Sequence, residues 1–264
     1  MSYSQRSNPD FEAIMALRTA AKEGAFFLPH LRQGMRVLDV GCGPGSITLG
    51  LAEAVGAGEA VGIDIQPSQV AQAQALSSSR GVLNTRFEVG DANQLPFSDA
   101  SFDAVFANSV LGHLHRPDQA LAEMRRVLRP GGFVGIRDLD WGGRIYTPAT
   151  PLLEEWYELT IRIRQRNGGN PFLGRHLRKL LLEAGFKRPE ASVSGWSCGS
   201  QEEIRLCAIF LKAQLQGFAS VALSEGWVDQ GKIEAVAADI EVWAGCQDAF
   251  YMDSYCEAVA TVEG

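Results

Sequence analysis

One stretch limits what this chain can fold into more than any other: Val37-Leu38-Asp39-Val40-Gly41-Cys42-Gly43-Pro44-Gly45, running on into Ser46-Ile47-Thr48. The apolar, β-branched run up to Val40 reads as a buried strand. The glycines that follow allow backbone angles closed to other residues and let the main chain approach a ligand closely. A helix opening straight after such a turn presents unpaired N–H groups to whatever sits there. By itself this strand–turn–helix suits any nucleotide-like cofactor.

The following residues repeat the rhythm. Short apolar runs at 59–65, 85–89, 102–108 and 133–137 read as strands. Helical patterns at 67–79 and 117–128 separate them, with Pro67 and Pro117 suited to a first turn and Arg129-Pro130-Gly131-Gly132 to a stop. Strands alternating with helices predict a parallel sheet covered on both faces.

Beyond residue 140 the spacing predicts a helix over 151–166, another ending near Ala184 before Gly185, and a sixth strand over 187–196. Ser200 and Glu203 form a candidate capping box. The helix it opens carries Ile204, Cys207, Phe210, Leu211 and Leu215 on one face, and a second carries Ile233, Val236, Ala237, Ile240 and Trp243. These two can pack as a helical hairpin. At the other end of the chain, residues 1–8 are polar, and Ile14, Leu17, Ala21 and Leu28 suggest one or two helices broken near Gly24 and Pro29.

Composition narrows the partners. The 264 residues carry a net charge of −7, which disfavours a nucleic-acid substrate. No apolar run approaching the ~18 residues of a membrane span is evident. The N-terminus lacks a signal-peptide pattern, so the cytoplasm is the expected compartment. Five cysteines, none spaced as C-x-x-C, give neither a disulfide framework nor a metal site. A small-molecule substrate is expected, and a homodimer is compatible with everything in the sequence.

Local charge separates the candidate ligands. A dinucleotide fingerprint is G-x-G-x-x-G/A. Here Gly41, Gly43 and Gly45 are spaced G-x-G-x-G, and the sixth position is Ser46. Asp39, two residues before the first glycine, would repel a pyrophosphate and attract an ammonium group. Asp64 ends the second strand, about twenty residues after the glycine turn, where a carboxylate can hold both ribose hydroxyls. Asp91 follows the third strand, where it can accept from an adenine amino group. Each aspartate alone could be a turn cap; three at the ends of three successive strands point to a cofactor.

With these pieces in place, the chain resembles the class I S-adenosylmethionine-dependent methyltransferases, and within them the ubiquinone/menaquinone-biosynthesis-like branch of small-molecule enzymes. The resemblance is carried by VLDVGCGPG, VGIDIQPSQV and GDANQLPFSDASFDAVFANSVLGHLHRPDQALAEMRRVLRPGG, over about residues 35–140. It implies an α/β, Rossmann-like fold: a seven-stranded, mostly parallel sheet with helices on both faces and an antiparallel last strand, placed at about 249–260. The organisation that follows is an N-terminal helical segment (1–31), a core (32–200 and 248–264) and a helical hairpin (201–247) inserted over the substrate pocket.

The resemblance also implies roles. Asp39, Gly41, Gly43 and Gly45 hold the methionine part of the cofactor. Asp64 holds the ribose, with Ile65 against the adenine and Gln69 beside them. Asp91 and Ala92 read the adenine edge. Asn108 borders sulfonium and substrate, and with His113 is a candidate for catalysis. The residue before that histidine, often glutamate in the family, is Gly112 here, which puts an acid–base role for this loop in question. Arg18, Arg137, Asp138, Trp141 and Tyr157 are candidates to line the substrate pocket, and His115 is expected to be an exposed loop residue. The alternatives are a NAD-dependent oxidoreductase and a protein that binds S-adenosylmethionine without transferring its methyl group.

Overall fold

The computed structural model describes residues 14, 15 and 17–264, so the expectations for residues 1–13 lie outside it. The chain divides into two compact units. A sheet unit comprises Met15–Leu139, Phe172–Ser194 and Tyr255–Gly264, and a helical unit includes Asp140–Pro171 and Gly195–Ser254.

In the sheet unit, β1 (Arg36–Val40), β2 (Glu59–Asp64), β3 (Thr85–Val89), β4 (Phe102–Asn108) and β5 (Leu128–Leu139) are parallel, in the order β3-β2-β1-β4-β5. The last strand, β8 (Phe250–Thr261), runs antiparallel to β5 from Phe133↔Thr261 to Leu139↔Tyr255, and β7 (Lys187–Cys198) pairs with β8. The order reverses between β1 and β4, and at such a switch point the loops at the carboxyl ends diverge and leave a crevice.

Alternation along each strand divides the core. Leu38 and Val40 pack on one face with Leu121, Met124 and Leu181. Val37 points to the other, with Leu51, Phe106 and Phe27. The helices behind these contacts are α2 (Ser46–Val55), α4 (Pro117–Val127) and α6 (Leu177–Glu183). Also in this unit, α3 (Pro67–Arg80) starts with its proline in the first turn and ends at Gly81, whose φ is 64°.

In the N-terminal segment Ile14 and Met15 are helical; α1 (Ala20–Glu23) follows, capped by the Thr19 side chain and ending at Gly24, and then a 3-10 turn at Leu28–His30 with Pro29 in its first turn. Leu17, expected on the apolar face, is 62% exposed. The anchoring residue is instead Phe27, fully buried with its ring 5.2 Å from those of Phe106 and Phe133.

Another difference concerns β5. It begins at Leu128, straight after α4, rather than at Phe133. Leu128 pairs with Phe102, and the register then shifts before Ala104↔Phe133. The Pro130-Gly131 step thus forms an irregularity within a strand rather than a loop before one.

The helical unit contains α5 (Pro151–Arg166), α7 (Gln201–Ser224) and α8 (Gln230–Ala244), all packed on one another. The hairpin exists with its capping box at Ser200 and Glu203. The unit is larger than the expected insertion, because α5 buries Trp156 and Ile163 and packs with α7 and α8. It also contains β6 (Ile145–Thr147), antiparallel to Phe250–Met252 of β8. This strand is additional to the seven expected.

By length and composition, α7 could cross a membrane, with a mean hydropathy of 1.5 over its best window. The sequence reading missed it because Lys212, Gln214 and Gln216 interrupt the apolar run. Half of that window is buried inside the protein, as in a core helix.

Phe27→Ala should lower the unfolding free energy by about 3–5 kcal/mol, the range for losing a fully buried aromatic side chain. Urea denaturation checks this; a loss below ~1 kcal/mol would show that the segment is not fixed to the sheet.

Candidate functional site

The carboxyl ends of the paired strands β1, β2 and β4 carry three of the sequence-predicted residues, Asp39, Asp64 and Asn108. Gly41 turns the chain out of β1 with φ 73°, and its N–H and that of Cys42 donate to the Ile63 carbonyl, both at 2.8 Å. The loop is therefore stitched to the end of β2. A side chain at Gly41 would place its Cβ 2.5 Å from Val110 Cγ2. Gly45, with φ 83°, is the residue before α2, and a Cβ there would lie 2.8 Å from that of Ala73. Both positions need glycine for conformation and for space.

Two acids face this loop. Asp39 is 2% exposed, and its Oδ2 accepts from the Thr48 hydroxyl at 2.6 Å. Burial pushes its carboxyl up to about 7, with the Thr48 hydrogen bond opposing and the charge of Asp64 adding to the rise. Asp64 accepts from Gly43 N–H at 3.1 Å and from Gln66 N–H at 2.9 Å. Burial raises its pKa too, against those hydrogen bonds. Two desolvated carboxyls beside one another favour an arriving cation over a phosphate. Gln69 is half-buried, its Oε1 3.7 Å from where a Gly43 Cβ would stand. Ile65 is 64% exposed directly after a buried strand, an apolar side chain that a flat ligand can cover.

Asp91 is different. It is exposed, and its Oδ1 accepts from the backbone and side-chain nitrogens of Asn93, at 2.8 and 3.1 Å. One oxygen thus caps its own turn and the other is left for a ligand. Ala92 is half-buried against the core.

At the end of β4, Asn108 is buried and its Oδ1 accepts from Arg137 Nη1 at 3.1 Å. That leaves the amide NH2 as the part of Asn108 able to donate. Arg137 is itself buried. Its Nε donates to Ser194 Oγ at 3.1 Å and lies 3.4 Å from Glu257 Oε1, and the guanidinium stacks 3.5 Å over the Tyr255 ring. Burial lowers its pKa, and the half-exposed Arg18 is close enough to lower it further. Asp138 Oδ2 accepts from Gly112 N–H at 3.0 Å and its Oδ1 from Leu139 N–H at 3.0 Å. The position where relatives often carry glutamate therefore serves here, through its backbone, to hold Asp138. His113 is half-buried at the end of the 3-10 turn Leu111–His113, and His115 is exposed.

Trp141 and Tyr157 belong to the helical unit, where the Tyr157 hydroxyl donates to the Trp141 carbonyl. The sequence reading missed Thr48, Ser194, Tyr255 and Glu257. Thr48 had a local signal, a hydroxyl in the first turn after the glycines. The other three reach Arg137 through pairing with β8 and the chain beside it, which no local pattern encodes.

The residues present fit S-adenosylmethionine: a bent, glycine-rich loop, a buried acid for an ammonium, a second acid for hydroxyls and an exposed apolar face. Cys42, within the loop, is buried and its thiol is pushed well above the ordinary cysteine value by burial and the two acids. It is thereby kept a neutral, small hydrophobe.

Comparison with known proteins agrees. The family described as "Methyltransferase domain" matches residues 31–168. An uncharacterised methyltransferase of Schizosaccharomyces pombe is 34% identical over 203 residues, 72% of this chain and 70% of its own length. A demethylmenaquinone methyltransferase of Staphylococcus aureus is 37% identical over 133 residues, 50% of this chain and 52% of its own. Among solved structures, the [4+2]-cyclase SpnF superposes with a TM-score of 0.55 at 26% identity, covering 96% of this chain and 79% of that one.

The pKa of Asp39 has a consequence for stability. Raised from 3.8 to about 7, it makes the native state hold an extra proton between those values. Its contribution is complete below the unfolded value and is lost as pH rises through about 7. Asp64 shifts in the same direction. Urea denaturation of the cofactor-free protein should therefore show stability falling from about pH 4 to about pH 7, and Asp39→Asn should flatten that fall. An identical profile in the variant would show that Asp39 titrates normally.

Proposed function

This chain belongs to the methyltransferase-domain family of S-adenosylmethionine-dependent enzymes, and on that premise we propose that it methylates a small organic acceptor at the carboxyl edge of its sheet. The observation that carries the reading is the buried Asp39 beside the glycine bend, with Asp64 one strand away. A pyrophosphate would add negative charge to that pair, which counts against the NAD-dependent alternative.

S-adenosylmethionine, when bound, supplies a methyl group on a positively charged sulfur. The protein's work is to bind, align and exclude water. Asp39 would take the ammonium and Asp64 the ribose hydroxyls. Ile65, Ala92 and Asp91 would enclose the adenine. The amide of Asn108, oriented by Arg137, would border the reacting centre. An acceptor that loses a proton needs a base. His113 carries the side chain suited to that near neutrality, on a turn whose Gly112 is fixed by Asp138.

The acceptor is read as a small molecule from the acidic net charge of −7 and from relatives such as the demethylmenaquinone methyltransferase. Incubation with methyl-labelled S-adenosylmethionine and a panel of phenols, amines and carbon acids tests transfer. Label in a product supports it. Tight S-adenosylhomocysteine binding with no transfer to any acceptor would instead favour a protein that holds the cofactor for another purpose.

By calorimetry with S-adenosylhomocysteine, Asp64→Ala should weaken binding by about 1–3 kcal/mol, the cost of losing a hydrogen bond to a charged group. Asp39→Asn should also weaken it. Because an ammonium favours ionised Asp39, wild-type affinity should rise from about pH 6 to about pH 8, and the asparagine variant should lose that rise. Unchanged affinity in Asp64→Ala, or tighter binding in Asp39→Asn, would overturn these assignments.

A further inference from the structure

The sheet unit has a second place where charge and apolar surface meet, at the end of the strands away from the glycine loop. Here an open groove of about 410 Å³ runs between the residues that precede β1 and the start of β7. That volume falls in the range of small-molecule sites. Phe133 and Val259 form its floor, and the His30 ring stands 5.7 Å from that of Phe133. Phe133 precedes Leu139, at the carboxyl end of β5, by about 20 Å of strand. The groove is therefore separate from the edge that carries Asp39 and Asp64.

Its charged side chains are Arg32, Arg188 and Glu190, all exposed. Arg32 is held across its own turn, where Nη1 donates to the carbonyls of Pro29 at 2.8 Å and Leu31 at 3.0 Å. Arg188 has φ 49°, a left-handed conformation that residues with a Cβ rarely adopt. The strand start is fixed all the same, because Thr261 Oγ1 donates to the Lys187 carbonyl at 3.4 Å. Lys187 pairs with Glu263, whereas Arg188 has no carboxylate partner among the described residues.

Two guanidiniums against one carboxylate leave an excess of one positive charge, on a molecule whose net charge is −7. A small anion is drawn to such a place and repelled by the molecule as a whole. A monoanion matches the excess, and the planar guanidinium forks suit the paired oxygens of a carboxylate. The aromatic and aliphatic floor calls for an apolar body behind that charge.

We propose that this groove binds a small aromatic carboxylate, its ring on Phe133 and Val259 and its charged end against Arg32 and Arg188. The proposal concerns binding at this edge and rests neither on methyl transfer nor on the cofactor assignments, so either can fail without the other.

Calorimetry on the full chain at low salt, with S-adenosylhomocysteine present and absent, tests it with three probes of one shape: 2-naphthoate, neutral 2-naphthalenemethanol and cationic 2-naphthylmethylammonium. 2-Naphthoate should bind about tenfold more tightly than the alcohol, and the ammonium no better than the alcohol. Arg32→Gln and Arg188→Gln should each weaken 2-naphthoate about threefold and leave the alcohol unchanged, with near-ultraviolet circular dichroism confirming the fold of both variants. Glu190→Gln, which removes the opposing charge, should tighten 2-naphthoate about twofold. S-adenosylhomocysteine should change none of these affinities. Equal affinity for 2-naphthoate and the alcohol, wild-type affinity for 2-naphthoate in both arginine variants, competition between 2-naphthoate and S-adenosylhomocysteine, or no binding of any probe would each overturn the proposal. So would self-association abolished by Arg188→Gln, which would give the groove to a second copy of the chain.

Discussion

The structure depends on two neighbouring carboxyls, one buried and one partly buried. Parallel pairing of β1 with β2 ends both strands at one edge, and Asp39 and Asp64 stand there beside one another. Asp39 is shut away from water and Asp64 partly so. Thr48 supplies one hydrogen bond to Asp39, and the loop amide of Gly43 one to Asp64. What remains is a local excess of negative potential that a cationic ligand would neutralise. The glycine bend, the start of α2 and the spacing of the first two strands all serve to hold that pair in place.

A second buried charge organises the other side of the switch point. Arg137 lies at the end of β5, where Asn108, Ser194, Glu257 and the Tyr255 ring surround it. Such a cation is tolerable because its donors have acceptors and its face has an aromatic neighbour. Its effect is geometric: Asn108 cannot rotate without breaking a buried bond. The edge thus has a pair of acids on one flank and a braced arginine–amide contact on the other.

Much of the sheet was legible because its signals are local. Strand runs bounded by Gly, Pro or Asp gave β1 to β4 nearly to the residue, and Pro67, Pro117 and Ser200–Glu203 gave helix starts. The site acids were legible for the same reason, since strand ends and glycine turns are written in adjacent residues. Illegible were features decided by distant pairing. The β5 irregularity depends on Phe102 across the sheet, the division of units on α5 packing with α7 and α8, and the surroundings of Arg137 on β8. Leu17 misled because a helical period is only a pattern until something covers it.

Cys42 sits between Gly41 and Gly43 in the glycine bend, where an exposed thiol would be open to chemical damage. Its burial between two acids makes the thiolate, the form that oxidants and electrophiles attack, costly to produce. The bend can therefore carry a sulfur between two glycines and keep it protonated, a chemical quietness conferred by the same electrostatics that would draw in a cation.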